Sequence, residues 1–444
     1  MCRRLVRWAV TGWVLWVLGC AWTGPGWRHF HGDLAGEGFL NVKSGYAVSP
    51  AWRSEPFAIT SSSPVVGRDA LGTEVVYIGT MDAQLVAVDA ASGTVRWKRF
   101  LGTGEGRSSI VSSPTVGDDG GILVLTTTEL PGLRLQSSLH KVDWLGNRRW
   151  SQPLPDGGIS MGSPKAFAFA GQPLVLAQSL TGGPEGLRSE LVVVQDAGAR
   201  AEVLDRRSLG DCAGSRASYD RLLRTWQALA AWPAKPDGNP DEVVLEPSPA
   251  ARWHRSMLLI AMADNLCRAG ILGWDGRKLS ILWEVTHAGD SLTSPVLLSN
   301  NHMVFGSRDG KLFAYDAETG VKMWEYDAGE SVLGTPSGSA EGVVYAASKA
   351  HLHAVRAGDG GAVLHSGVAQ RLKIPGPTLA SPVVTTECIY LPAREMLTVS
   401  HDFKVRSYNT TFVGNGLSSP AVGADGSLYV VAADGSIWKY KGAN

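Results

Sequence analysis

A Ser-Pro or Thr-Pro step recurs along the chain and limits what it can fold into. It stands at Ser63-Pro64, Ser113-Pro114, Ser163-Pro164, Ser294-Pro295, Thr335-Pro336, Ser381-Pro382 and Ser419-Pro420, at spacings of 50, 50, 131, 41, 46 and 38. The gap of 131 is too long for one unit, and Ser248-Pro249 divides it into 85 and 46. Most steps open the same grammar: a short apolar strand, a turn, a buried run, a second turn, an alternating strand, and a turn into a strand carrying tryptophan. Residues 303–324 show it best. Met303 to Gly306 is apolar, Asp309-Gly310 suits a two-residue hairpin turn because it tolerates positive φ, and Lys311 to Tyr315 alternates with period two. Thr319-Gly320 closes another turn before Trp324. Four short strands in a unit of about 38–50 residues, repeated, predict an all-β propeller, in which radial repetition leaves only short edges.

Seven steps plus Ser248-Pro249 predict eight blades, with seven as the alternative. The last unit, from Ser419, ends after Ile437-Trp438-Lys439-Tyr440 and lacks its fourth strand. Residues 51–57, Ala51-Trp52-Arg53-Ser54-Glu55-Pro56-Phe57, have the character of that missing strand. An N-terminal strand paired into the last blade would remove the final free edge. The 53 glycines in 444 residues fit a chain with many tight turns, and 44% apolar content is ample for a core.

Lysine plus arginine equal aspartate plus glutamate at 41 each, so the chain lacks the excess cationic charge of a nucleic-acid binder. At the N-terminus, Arg3, Arg4 and Arg7 precede a charge-free stretch from Trp8 to Leu18, too short for the ~20 residues of a spanning helix. It ends in Val17-Leu18-Gly19-Cys20, which resembles the bacterial lipobox. The expectation is a signal peptide over 1–19, an acylated Cys20 as membrane anchor, and a tether and N-terminal segment over 20–50 before the propeller at 51–444. Ala21 follows the cysteine in place of the aspartate that retains enteric lipoproteins at the inner membrane, so that resemblance implies the outer membrane, facing the periplasm. Export would permit a disulfide, and of Cys212, Cys267 and Cys388 the first two are the expected pair.

Ala87 to Trp97 and Ala314 to Trp324 resemble the tryptophan-docking motif of pyrroloquinoline-quinone-like (PQQ-like) propeller repeats. Val142 to Trp150, and Trp274-Asp275-Gly276 followed by Trp283, are weaker copies. Trp27 with Phe30, His31, Gly32 and Asp33 resembles the motif common before the first blade. The resemblance implies that Trp97 and Trp324 wedge between neighbouring blades as structural residues. Residues 209–250 fall outside the repeat. Within them Ser218 to Ala231 reads as a short helix with Leu222, Leu223, Trp226, Leu229 and Ala230 on one face, stopped by Pro233. This insertion between blades 3 and 4 either decorates the propeller or docks a partner through Leu222, Trp226 and Leu229.

Catalytic signatures are sparse. Quinoprotein dehydrogenases share the repeat, and family enzymes often stack their cofactor on a disulfide between adjacent cysteines, but no two cysteines are adjacent here. Gly158-Ile159-Ser160-Met161-Gly162 matches the hydrolase elbow in letters only, because the elbow needs a following helix and Ser160 precedes a blade. His29/His31 and His351/His353 could each present two rings on one face, yet neither pair has a third ligand at suitable spacing. No cofactor or metal is expected. A lipid-anchored propeller without an active-site signature resembles the propeller lipoproteins of the outer-membrane β-barrel assembly machinery. That resemblance implies a non-catalytic scaffold for envelope proteins, and the alternative is a binder of small ligands or polysaccharide in the funnel.

Overall fold

A computed structural model describes residues 26–441, except 47–48, 59, 105, 133, 184–185, 210–246, 265–266, 288, 292, 366–367, 370 and 415. The described strands form eight antiparallel blade sheets in a ring, each entered at one Ser/Thr-Pro step, plus a small two-stranded hairpin of Leu364–His365 and Val368–Ala369. No helix occurs among the described residues. Blade 1 comprises Val65–Arg68, Glu74–Gly79, Gln84–Asp89 and Val95–Phe100. Blade 2 spans 115–153, blade 3 spans 165–208 and blade 4 spans 250–286. Blade 5 covers 296–327 and blade 7 covers 383–409. Blade 6 is the irregular one: its innermost strand shrinks to a bridge between Ser337 and Tyr345.

Blade 8 contributes Ala421–Val422, Leu428–Val431 and Ile437–Tyr440, and its outer strand is Pro50–Arg53. Trp52 pairs with Lys439 and Arg53 with Trp438. The predicted eight blades and N-terminal closing strand are therefore both present. The predicted helix at 218–231, with Leu222, Trp226 and Leu229, lies outside the described residues, as does Cys20.

Strand position within a blade sets the sequence pattern. Second strands pack on neighbouring blades through both faces, so Val75-Val76-Tyr77-Ile78 is buried at every position. Fourth strands face solvent on one side and alternate, as Leu279–Thr286 does. Each core cluster draws on adjacent blades: Val75, Tyr77 and Leu85 of blade 1 meet Val116, Ile122 and Val124 of blade 2. The turns between first and second strands and between third and fourth strands share one face of the ring. The remaining turns and the connections between blades share the other.

Five tryptophans couple blades on the first of these faces. Trp97 donates its indole N–H to Trp144 O at 2.9 Å, Trp283 to Ala317 O at 3.0 Å and Trp324 to Ala357 O at 2.9 Å. Trp150 donates to Asp196 Oδ1 at 2.9 Å, and Trp52, on the closing strand, to Ala90 O at 3.1 Å. The receiving turn needs glycine: Gly360 has φ +70°, and a Cβ there would lie 2.8 Å from the Trp324 ring. Blades 3, 6 and 7 have no tryptophan on their outer strands, so the docking device couples only five of the eight junctions.

Candidate functional site

The Ser/Thr-Pro steps that marked the repeat converge on the propeller axis. Proline restrains the preceding residue to an extended backbone and removes one amide donor from the channel wall. Each step residue can then donate its own N–H sideways to the hydroxyl of the next blade. Ser63 N donates to Ser113 Oγ (2.8 Å), Ser113 N to Ser163 Oγ (2.9 Å), and Ser163 N to Ser248 Oγ (2.8 Å). Ser248 N donates to Ser294 Oγ (2.8 Å), Ser294 N to Thr335 Oγ1 (3.0 Å), and Thr335 N to Ser381 Oγ (3.1 Å). Ser381 N donates to Ser419 Oγ and Ser419 N to Ser63 Oγ, both at 2.9 Å. The circuit closes on itself. It surrounds a cavity of about 70 Å³ whose described lining carries no charged or titratable side chain.

One end of the channel is filled by the chain's own N-terminal segment. From Trp27 onward its carbonyls meet the inner strands in blade order. Val66 N donates to Trp27 O, Val116 N to Arg28 O, Ala251 N to Leu34 O, Gly338 N to Glu37 O and Val384 N to Gly38 O, all at 2.8 Å. Leu297 N donates to Ala35 O at 3.1 Å. Each of these amides lies three residues past its Ser/Thr. Among blades 1 to 7, blade 3 is the exception, substituting the Lys165 side chain, whose Nζ donates to Phe30 O (2.9 Å) and Asp33 O (2.8 Å). Residues 27–42 thus form a belt inside the channel, and the Phe30 ring reaches the cavity.

His31 braces this belt across the bore. Its Nδ1 lies 2.6 Å from Gly36 O, and its Nε2 lies 3.3 Å from Pro382 O, the longer of its two carbonyl contacts. Nε2 faces Ser337 Oγ of blade 6 at 3.1 Å. Burial pushes the His31 pKa from its ordinary 6.5 down to about 4, and pushes His29 well below its ordinary value, with Lys165 adding to both shifts. Lys165 is itself lowered from 10.5 to about 8, chiefly by burial. Gly38 is obligatory: it has φ +67°, and a Cβ would stand 2.4 Å from His31 Cε1.

The other sequence candidates are occupied structurally. His351 Nδ1 lies 2.7 Å from Glu330 Oε1. His353 sits between Tyr326 Oη (3.1 Å) and Ser348 Oγ (2.9 Å), lowered by burial to about 4. No group of three metal-ligating side chains occurs among the described residues. Ser160 Oγ donates to Gln178 O at 2.9 Å, which commits the hydroxyl of the elbow-like pentapeptide to the fold. Cys267 is disulfide-bonded and Cys388 is a buried free thiol; Cys212, the expected partner of Cys267, lies outside the described residues.

A tricyclic quinone does not fit the described channel: pockets for such ligands run to roughly 300–1,000 Å³. The described lining offers hydroxyls and apolar groups, with no acid, base or metal ligand. The belt and the hydroxyl ring were both missed as sites in the sequence. The ring had a visible signal in the Ser/Thr-Pro steps, whereas the belt had only the Trp27–Asp33 motif.

Comparison with known proteins bears on the same channel. Serine/threonine-protein kinase AfsK of Streptomyces griseus is 30% identical over 131 residues, 28% of this chain and 16% of the kinase. A quinohemoprotein alcohol dehydrogenase of Comamonas testosteroni is 34% identical over 67 residues, 15% of this chain and 10% of the enzyme. The chain thus spans less than a sixth of the length of either. The crystal structure of the Comamonas enzyme superimposes with a TM-score of 0.64 at 14% identity, covering 95% of this chain and 81% of that one. Sqt1 of Saccharomyces cerevisiae superimposes with a TM-score of 0.59 at 9% identity, covering 90% and 100%. Identities this low show a common fold alone. A family model described as "Outer membrane protein assembly factor BamB" matches residues 41–208 and 274–399, about two thirds of the chain. The chain belongs to that family of PQQ-like propellers.

Proposed function

We propose that the protein is a non-catalytic scaffold of the bacterial cell envelope, lipid-anchored through Cys20 and probing protein partners from the outer membrane's periplasmic side. The observation that carries the non-catalytic part is the axial channel: belted shut at one end, about 70 Å³ in volume, and lined in its described part by neutral side chains. The family description supports a role in outer-membrane protein assembly. The Arg3/Arg4/Arg7 leader and its lipobox-like end support the anchor. The insertion supports a docking surface. Its described flanks, Leu209 and Pro247, lie among the connections between blades, on the face opposite the belt, so a partner held there leaves the belted face free.

Affinity purification in mild detergent tests this reading, comparing the parent chain, Cys20→Ala and a deletion of 210–246. Cys20→Ala is expected to leave the membrane fraction while staying folded. The deletion is expected to keep the parent's melting temperature and lose envelope proteins that the parent recovers. A stable deletion variant that recovers the same proteins rejects the insertion as docking site. A stoichiometric complex with pyrroloquinoline quinone that oxidises an alcohol rejects the non-catalytic reading.

A further inference from the structure

Each of the eight ring hydroxyls accepts one amide N–H, yet none donates its own proton to a described protein group. All eight are 1–7% exposed. Accepting an N–H withdraws electron density from the oxygen, which makes its O–H a stronger donor and the oxygen a poorer acceptor. A circle of such groups favours an electron-rich guest over a cation. Phe30 covers the ring from the belt side, while Met161, Leu333, Leu379 and Leu417 collar it from the other. Apolar neighbours on both sides strengthen any charge-assisted hydrogen bond made between them.

A second observation points the same way. Lys165 follows the ring residue Ser163 by two positions, is 1% exposed, and spends its ammonium on two neutral carbonyls. It makes no direct ion pair among the described residues, and the Asp33 charge only partly offsets its burial. A buried cation with only a distant carboxylate is costly, and an anion in the cavity beside Phe30 would add to the partial compensation from Asp33. The cavity has room for about two water volumes, which excludes sugars and nucleotides.

We infer that the axial ring is a binding site for one compact monovalent anion, a halide or a formate-sized carboxylate, held by the converging hydroxyls under the field of Lys165. Binding is measured on the full-length protein exchanged into sodium gluconate, whose anion is too large to enter. Sodium bromide or sodium formate is then titrated at constant ionic strength, and the melting temperature is followed. A saturable rise is expected, and Lys165→Met and Ser113→Ala should each move its midpoint about tenfold upward, a change of ~1.4 kcal/mol. Crystals grown in bromide should show an anomalous peak on the axis within hydrogen-bonding distance of the hydroxyls. Bromide and formate arms separate the two sources of the anion. Should one variant fail to fold, the other variant and the parent's anomalous map still decide. The inference falls if there is no saturable rise, if the axis holds water alone, or if the peak occurs without a rise (binding at crystal concentration only). A midpoint unmoved in a folded variant also overturns it.

Discussion

The two ends of the axial channel are built on opposite principles. At the hydroxyl ring every blade contributes a hydroxyl residue followed by proline in the same way, and the contact is made between neighbours, N–H to side-chain hydroxyl, eight times over. At the belted end one aperiodic segment serves all the blades it touches, and each contact is different: a carbonyl here, a lysine ammonium there, a histidine reaching across the bore. Repetition distributes a load, so losing one member of the ring leaves seven. The belt concentrates it, because a few side chains fix the path of a segment that has no regular secondary structure.

That contrast predicts unequal costs. The largest should come from Trp27, which is fully buried and begins the belt. Trp27→Ala is expected to cost ~3–5 kcal/mol, read as a lower denaturation midpoint. A variant with the parent's midpoint would mean that the belt is a passive filler.

The next effect is a pH dependence. His31 has a folded pKa of about 4 against an ordinary 6.5, so between those values the unfolded chain binds the proton more readily. Its contribution is complete above about pH 6.5 and is lost as pH falls toward 4, up to a limit on the order of 3 kcal/mol. His31→Gln should flatten the acid limb of stability across that window. His29, His140 and His353, each also lowered by burial, should sustain the remainder of the slope. An acid limb identical in parent and variant would show that His31 is not held neutral in the bore.

The smallest effect belongs to the ring. Ser113→Ala strands the Ser63 amide, which is expected to cost ~1–3 kcal/mol, measured by urea denaturation. A loss as large as that of Trp27→Ala would erase the distinction between the two ends.

The same contrast explains what could be read in advance. Blade number was legible because the Ser/Thr-Pro step is both a sequence marker and a structural one. The period-two alternation expected from Lys311 to Tyr315 is not seen, since Leu312 to Tyr315 are all buried between neighbouring blades, and alternation survives in outer strands such as Leu279–Thr286. The closing strand was legible as a missing piece of a pattern, and it lies at Pro50–Arg53 against the expected 51–57. What the steps build was not legible, since a ring of hydrogen bonds appears only when eight distant segments share an axis. The belt was harder still. Residues 20–50 read as a tether and N-terminal segment, and from Trp27 they enter the channel, but their partners are backbone amides, which leave no trace in side-chain identity. Gly38 shows the difficulty: its necessity comes from the nearby imidazole of His31 and from its own left-handed backbone.

The closing strand carries a consequence for the order in which the molecule can assemble. Ser54 N donates to Ile437 O at 2.9 Å, and Ile437 N donates to Ser54 Oγ at 2.9 Å across a separation of 383 residues. The entropic cost of bringing such distant segments together grows only slowly with length, roughly as the logarithm. The kinetic cost is different in kind, since no partly synthesised chain can close the ring. Until the final hairpin is available, blades 1 and 7 lack their shared neighbour, and the N-terminal strand waits unpaired. Its first and last strands therefore meet late in folding, once the final hairpin is available. A nascent chain is most prone to aggregation just before that event.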